Sequence, residues 1–328
     1  MKRIPTLDGW RGIAILLVIF DHLQLSTPVS RHPFQATGTY GVALFFVLSG
    51  FLITSKLIDE RQSTGKISLR NFYIRRFFRL MPAAWVFLLS ISVLGRIPGK
   101  YLHLLGCLLF VENYVTQHHG SWVFGHFWSL SIEEQFYLFW PAMFIFMGKK
   151  RAGIFAAVIS ISIALYRFNV LSGLSWSQTA GTEFHADALL IGCLSAMLPR
   201  IHLRAWYFWP LIAAFFAYLR HPVTVAPFGC VVVMALLLLT TTTFPESVAF
   251  LEWRLLKWVG TLSYSLYLWQ QVFVRFPGFP TLSSVPFRLC LTLAFSILSY
   301  TCIEQPCIRF GTRFLRSRPL AVPELVAL

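Results

Sequence analysis

The sequence predicts an all-α membrane protein, a polytopic bundle of about ten transmembrane helices plus one short re-entrant or interfacial segment. Hydrophobic residues make up 56% of its 328 residues and charged ones only 12%, a balance far from that of a soluble domain. Apolar runs such as 13–20 and 231–239 recur along the chain. The basic residues gather in short stretches between those runs, as the positive-inside rule requires. The lipid bilayer is therefore the first partner to expect. A formal charge of +15 spread in this way orients helices instead of forming one face for a polyanion, so nucleic acid is not an expected partner.

Windows of ~20 residues place the spans near 11–28, 39–58, 81–95, 128–147, 152–171, 184–199, 205–219, 224–243, 257–275 and 286–304. Met1, Lys2 and Arg3 precede an apolar run as in a signal peptide. Asp21 and His22 interrupt that run and no small-residue cleavage site follows, so a retained first span is expected. Residues 101–115 are apolar but short, and contain Glu112 and Asn113. Basic clusters occur at 56–79, at Lys149, Lys150 and Arg151, at Arg200 and Arg204, at Arg254 and Lys257, and from Arg309 to Arg318. If all face the cytoplasm with Lys2 and Arg3, an even number of spans separates each from the next. Counting 101–115 as a span breaks that parity, so it is read as re-entrant or interfacial, with both termini cytoplasmic. Arg96, Lys100, Arg220 and Arg275 then fall on the outer side. Residues 1–310 are read as a single transmembrane domain and 311–328 as a cytoplasmic tail. The six cysteines show no CxxC pair and are read as small buried apolar residues, with no metal site or disulfide framework.

Several polar groups interrupt this apolar background. In Phe72-Tyr73-Ile74-Arg75-Arg76-Phe77-Phe78-Arg79, helical spacing lets Arg75 and Arg79, or Arg76 and Arg79, share a face. The cluster is either an anion site or a cytoplasmic anchor for the helix end. Asp8, Arg11, Asp21 and His22 lie in or beside the first span, where ionisable groups are costly. Arg11 and His22 are eleven residues apart, so they share a face at ~16 Å, with Arg11 at the cytoplasmic mouth and His22 near mid-membrane. A neutral imidazole there acts as a general base or bridges two helices. In His126-Phe127-Trp128-Ser129-Leu130-Ser131-Ile132-Glu133-Glu134, the four-residue spacing of Ser129, Glu133 and Tyr137 defines one helical face that must look inward. Glu133 is a candidate to orient the histidine, to bind sugar hydroxyls or to serve as a structural carboxylate. Glu183 and Asp187, with His185 between them, either line the same cavity or hydrogen-bond between helices. His118 and His119 belong to an outer loop, and Thr261, Ser263, Tyr264 and Ser265 to a helix–helix contact.

Taken in order, these strings resemble the membrane-bound acyltransferase-3 family, bacterial integral-membrane O-acyltransferases acting on cell-surface carbohydrates. Leu7-Asp8-Gly9-Trp10-Arg11-Gly12 with His22 is similar to its opening motif, and Phe45-Phe46-Val47-Leu48-Ser49-Gly50-Phe51-Leu52-Ile53 to its second-span signature. The segment from Phe72 to Pro82 resembles its arginine motif, and that from Phe127 to Tyr137 its Trp-Ser-Leu…Glu motif. Leu262-Ser263-Tyr264-Ser265-Leu266-Tyr267-Leu268-Trp269 and Ile303-Glu304-Gln305-Pro306 resemble its last two spans. Two positions depart from the pattern: Gln270 stands where members often have His, and His185 where they often have Arg. Many members also carry a C-terminal extracytoplasmic hydrolase-like domain, for which this length leaves no room.

The resemblance implies a ten-span enzyme of the bacterial inner membrane. It would take an acyl group, usually acetyl, from cytoplasmic acyl-CoA and place it on a carbohydrate hydroxyl at the outer side. His22 would be catalytic, as base or acyl relay, with Glu133 beside it, and Arg75, Arg76 and Arg79, joined by Arg11, would hold the acyl-CoA phosphates. Asp8, Trp128, Ser129, Tyr137, His185 and Asp187 would line the cavity or its acceptor side. Acyl-CoA is then a substrate, and no permanently bound cofactor is expected. A proton-coupled transporter using a His/Glu relay is the competing reading, though paired broken helices or an internal repeat are not apparent. A lipid-linked glycosyl or phosphoryl transferase would want a metal-binding acidic pair, and Asp59 and Glu60 sit among basic residues instead.

Overall fold

The computed structural model describes residues 4–25, 37–93, 97, 99–171, 174–175, 177–198, 205–220, 223–274 and 284–316. Expectations placed on Lys2, Arg3, 26–28, Arg96, Arg200, Arg204, Arg275 and 317–328 lie outside them. Among the described residues every regular element is helical: α1 (Pro5–Leu25), α2 (Thr37–Thr64), α3 (Leu69–Val93), α4 (Lys100–Leu108), α5 (Glu112–His118), α6 (Phe127–Val170), α7 (Ala186–Met197), α8 (Phe208–Leu219), α9 (Phe228–Thr243), α10 (Arg254–Thr261), α11 (Ser263–Val274), α12 (Val285–Ser299) and α13 (Gln305–Arg316), with short 3-10 turns between some of them.

Among the described residues, four helices are long and apolar enough to cross a bilayer: Thr37–Thr64, Leu69–Val93, Phe127–Val170 and Val285–Arg316. Ala186–Met197, Ala205–Leu219 and Phe228–Thr243 are apolar but shorter. The expected spans 128–147 and 152–171 are the two halves of α6, which breaks at Gly148 with φ 70° and ψ 166°. The stretch 257–275 is not one helix, because the chain turns at Leu262 between α10 and α11. The stretch 286–304 continues instead of ending: a wide π-type turn, Tyr300–Glu304, joins α12 to α13.

Residues 101–115 form no span. They fold as α4 and α5, of 9 and 7 residues, against the ~20 that a crossing needs. The polar residues that weakened this segment as a span hold it in place. Glu112, fully buried, meets His103 Nδ1 at 2.6 Å and accepts from Thr116 Oγ1 at 3.2 Å. Gln135 of α6 donates to the Phe110 carbonyl at 2.7 Å and to Asn113 Oδ1 at 3.1 Å, fixing the corner where Phe110 takes a φ of 54°.

The centre of the bundle is α1, α2, α7 and α9, whose side chains form one core around Trp10, Ile15, Leu44, Val47, Leu189 and Leu238. Inside lipid, helices gain little from hydrophobic burial against each other and rely on close backbone approach. The α2–α7 crossing shows this on both sides. A Cβ on Gly50 would lie 1.9 Å from the Leu189 carbonyl oxygen, and one on Gly192 would lie 2.2 Å from that of Val47. Because the obstacle is backbone, no side chain can turn away to relieve it. Gly50→Ala and Gly192→Ala should each cost about 1–3 kcal/mol, as overpacking of a tight core does. A fall in the thermal unfolding midpoint of the detergent-solubilised protein would register it.

Candidate active site

A cavity of about 500 Å³ opens among α1, α2, α3, α6, α11 and the π-type turn. Each helix delivers polar groups to it at helical spacing. Asp8 and Arg11 come from α1, Ser49 and Lys56 from α2, and Arg76 and Arg79 from α3. Ser129, Glu133 and Tyr137 come from α6, Tyr264 and Tyr267 from α11, and Tyr300 and Glu304 from the turn. The i, i+4, i+8 series on α6 thus faces inward as its spacing requires.

The cavity sets four cations, Arg11, Lys56, Arg76 and Arg79, against three carboxylates, Asp8, Glu133 and Glu304. The Arg76 guanidinium lies over the Tyr137 ring, 3.4 Å from its centroid, with Nε 3.7 Å from Glu134 Oε1. Glu133 accepts a hydrogen bond from Ser49 Oγ at 2.6 Å, and Glu304 accepts one from Ser265. Tyr264 donates to the Leu80 carbonyl at 2.8 Å, tying α11 to α3 beside the arginines. Fork-shaped guanidinium donors on one wall suit a phosphate, and partial compensation by carboxylates keeps the charge tolerable without a ligand.

Arg75 does not join Arg76 and Arg79. Its side chain is 53% exposed and lies 3.9 Å from Glu60 Oε2. Three residues of helix, not four, separate the two arginines that face inward.

His22 is not among the residues lining this cavity. It stands near the far end of α1, with Nδ1 2.6 Å from Gln270 Oε1 and its ring 5.1 Å from that of Trp122. Gln270, not Glu133, is thus the side chain that meets His22 Nδ1, and Glu133 stands among the cations. The two regions are close neighbours along α11. Tyr267 lines the cavity, and Gln270 follows three residues later, about 4.5 Å along the axis. Tyr267 OH and Ser129 Oγ, 2.6 Å apart, both reach the His126 carbonyl, at 3.3 and 3.2 Å.

Trp128, His185 and Asp187 belong to a second cluster and are not lining residues of this cavity. The buried His185 ring packs 4.6 Å from that of Trp128, with Nε2 2.9 Å from the Thr179 carbonyl. Asp187 is paired with the buried Arg167, which also donates to the carbonyls of Phe184 (2.9 Å) and Ala226 (3.3 Å). These bonds fasten the segments around α7 to α6 and to the start of α9. Expected cavity residues are thus structural fasteners here.

Sequence reasoning passed over Lys56 and Glu304 as cavity groups. Lys56 was counted only with the basic stretch, although it follows Ser49 by seven residues, two helical turns on the same face. Glu304 faces inward because of the wide turn, which apolar periodicity does not reveal. Thr261, Ser263 and Tyr264, read as packing groups, also line the cavity.

An apolar helical chain with charged groups gathered in an internal cavity is an integral membrane protein with a chamber suited to an anionic ligand. Comparison with known proteins makes the class specific: an acyltransferase-domain profile matches residues 4–302, and the chain belongs to the acyltransferase-3 family. A provisionally named O-acetyltransferase of Staphylococcus aureus strain COL is 29% identical across 100% of this chain and 61% of its own length. YrhL of Bacillus subtilis strain 168, provisionally named a peptidoglycan O-acetyltransferase, is 30% identical over 97% of this chain and 57% of its own. The peptidoglycan O-acetyltransferase OatA of Listeria monocytogenes is 27% identical over 94% and 56%. The chain therefore spans little more than half the length of these relatives. No solved structure matches it.

Glu304→Ala should strand the buried Ser265 hydroxyl and lower stability by about 1–3 kcal/mol. Glu304→Gln keeps an acceptor for it and should lose less. Thermal unfolding in detergent compares the two.

Proposed function

We propose that this chain transfers an acyl group, acetyl in the first instance, from cytoplasmic acyl-CoA to a hydroxyl of a surface or exported carbohydrate. In this reading it crosses the bacterial inner membrane about ten times with both termini cytoplasmic. The observation that carries the proposal is the placement of Arg11, Lys56, Arg76 and Arg79 in one cavity, one turn of α11 away from the residue that meets His22. Acyl-CoA has the matching shape, with phosphates at one end and a thioester at the end of a long flexible arm. The phosphates would sit on the cations and the arm would run past Tyr267 towards His22.

In this reading Nδ1–H donates to Gln270 Oε1, and Nε2 is the nitrogen that does the chemistry. In the direct route the carbohydrate hydroxyl attacks the thioester carbonyl. The C–O bond forms, the C–S bond breaks, and His22 moves the hydroxyl proton to the departing thiolate. In the relay route Nε2 attacks the thioester carbonyl and the C–S bond breaks, releasing CoA thiolate; the hydroxyl then attacks the acyl-imidazole, the C–N bond breaks to return the imidazole, and the hydroxyl proton ends on the thiolate. Relatives named for peptidoglycan O-acetylation support a carbohydrate acceptor and make peptidoglycan glycan fragments the first to assay.

The test is release of free CoA thiol from acetyl-CoA by the purified protein, dependent on added glycan fragments. No acceptor-dependent release would overturn the proposal. His22→Ala should reduce kcat by about 10²–10⁴-fold, the range for loss of a general base, without loss of expression. Arg76→Ala and Arg79→Ala should each raise the KM for acetyl-CoA about 10–100-fold, as loss of a charge-assisted hydrogen bond does. Arg75→Ala, removing an exposed cation, should change it by about twofold or less.

A further inference from the structure

We infer that the face of α11 opposite His22 is the subsite for the acceptor's hydroxyl groups, a site for a neutral polyhydroxylated sugar that borders the cationic donor cavity at Tyr267; this rests on the proposed acyl transfer. Tyr267, Gln270 and Gln271 fall at i, i+3 and i+4 and share that face. His22 meets it through Gln270. Trp122 is fixed to it twice: its indole N–H donates to the Gln271 carbonyl at 2.9 Å, and Gln271 Nε2 donates to the Trp122 carbonyl at 2.5 Å. The His126 ring lies on the same face, 5.7 Å from the Tyr267 ring.

What marks the face as a binding site is the set of polar atoms left unmatched there. Gln270 Nε2, Gln271 Oε1 and both ring nitrogens of His126 have no hydrogen-bond partner. The side chain of Gln271 lies beside His126, close enough to act on its ring. These residues are 0%, 4% and 2% exposed, so bulk water does not serve them. Each such group costs about 1–3 kcal/mol when left unsatisfied, so their gathering on one face leaves hydrogen-bonding capacity that a ligand can use. Reversing the Gln270 amide only exchanges which of its atoms faces His22.

The chemistry of the set selects the ligand. A neutral imidazole offers one donor and one acceptor, Gln270 offers donors and Gln271 an acceptor. That mixture suits hydroxyl groups, which donate and accept at once, and offers no charge to hold a phosphate. Trp122, half-buried beside His22, adds the apolar ring against which the C–H face of a sugar can lie. Arg11 and the other cations are at the opposite end of α1, so each substrate meets groups of its own polarity.

The experiment uses the full chain in detergent with acetyl-CoA and soluble peptidoglycan glycan fragments. His126→Ala and Gln271→Ala should each raise the KM for the glycan by about tenfold or more, with the KM for acetyl-CoA within about twofold of the parent. His126→Gln keeps hydrogen-bonding capacity and should retain most glycan affinity, which controls for misfolding of the alanine variant. Unchanged glycan KM, or equal rises in both KM values, would overturn the assignment. If the parent protein transfers nothing, glycan binding without acetyl-CoA, read from tryptophan fluorescence, decides the subsite separately. Binding that His126→Ala weakens would uphold it even as the acyl-transfer proposal fell; no binding, or binding indifferent to the variant, would sink it.

Discussion

Charge held inside an apolar bundle must be matched on the spot, and that requirement shapes this molecule more than any other. Arg11, Lys56, Arg76 and Arg79 would repel one another strongly in a medium of low dielectric without the carboxylates of Asp8, Glu133 and Glu304. The carboxylates in turn are held by local hydroxyls, Ser49 for Glu133 and Ser265 for Glu304. Four cations thus face three carboxylates across the cavity. The same rule governs the second cluster, where Arg167 and Asp187 neutralise each other with backbone carbonyls filling the remaining guanidinium donors. One pair is closed on itself and serves packing. The other set lines an open cavity.

Irregular helix geometry does much of the positioning. The break at Leu262 starts α11 inside the bundle, so Ser263 and Tyr264 reach the cavity from a helix end. Glycines let α2 approach α7 closely, and the same α2 carries Ser49 and Lys56 in the cavity wall. The short pair α4 and α5 is held by its own buried polar bonds to α6, which is how nonspanning backbone is tolerated within a helical bundle.

Much of this was legible in the residues. Apolar runs located the helices, and intramembrane charge drew attention to Arg11, Glu133 and the arginine motif, because such groups are too costly to be idle. The exclusion of 101–115 as a span followed from Glu112, Asn113 and charge parity, and two short helices stand there. Three things were not legible. Helical spacing allows Arg75 or Arg76 to pair with Arg79, and only the orientation of α3 against α6 selects Arg76. The partners of His185 and Asp187, namely Thr179 and Arg167, come from other segments whose approach no spacing encodes. The orienting neighbour of His22 comes from α11, 248 residues away, so its identity as Gln270 required the tertiary structure.

The wide turn at Tyr300–Glu304 changes the rotational phase of the last helix. An added residue per turn rotates everything downstream by about 100° relative to a regular helix. At its start Tyr300 faces the cavity; after it, Arg309 and Arg313 lie exposed while Gly311 is pressed against Phe78. The two portions of Val285–Arg316 therefore obey different phase registers, like two rulers joined with an offset. Aligning another chain through this region without a one-position shift would pair outward residues with inward ones, and any chain that lacks the extra residue must build that corner of its chamber from different side chains.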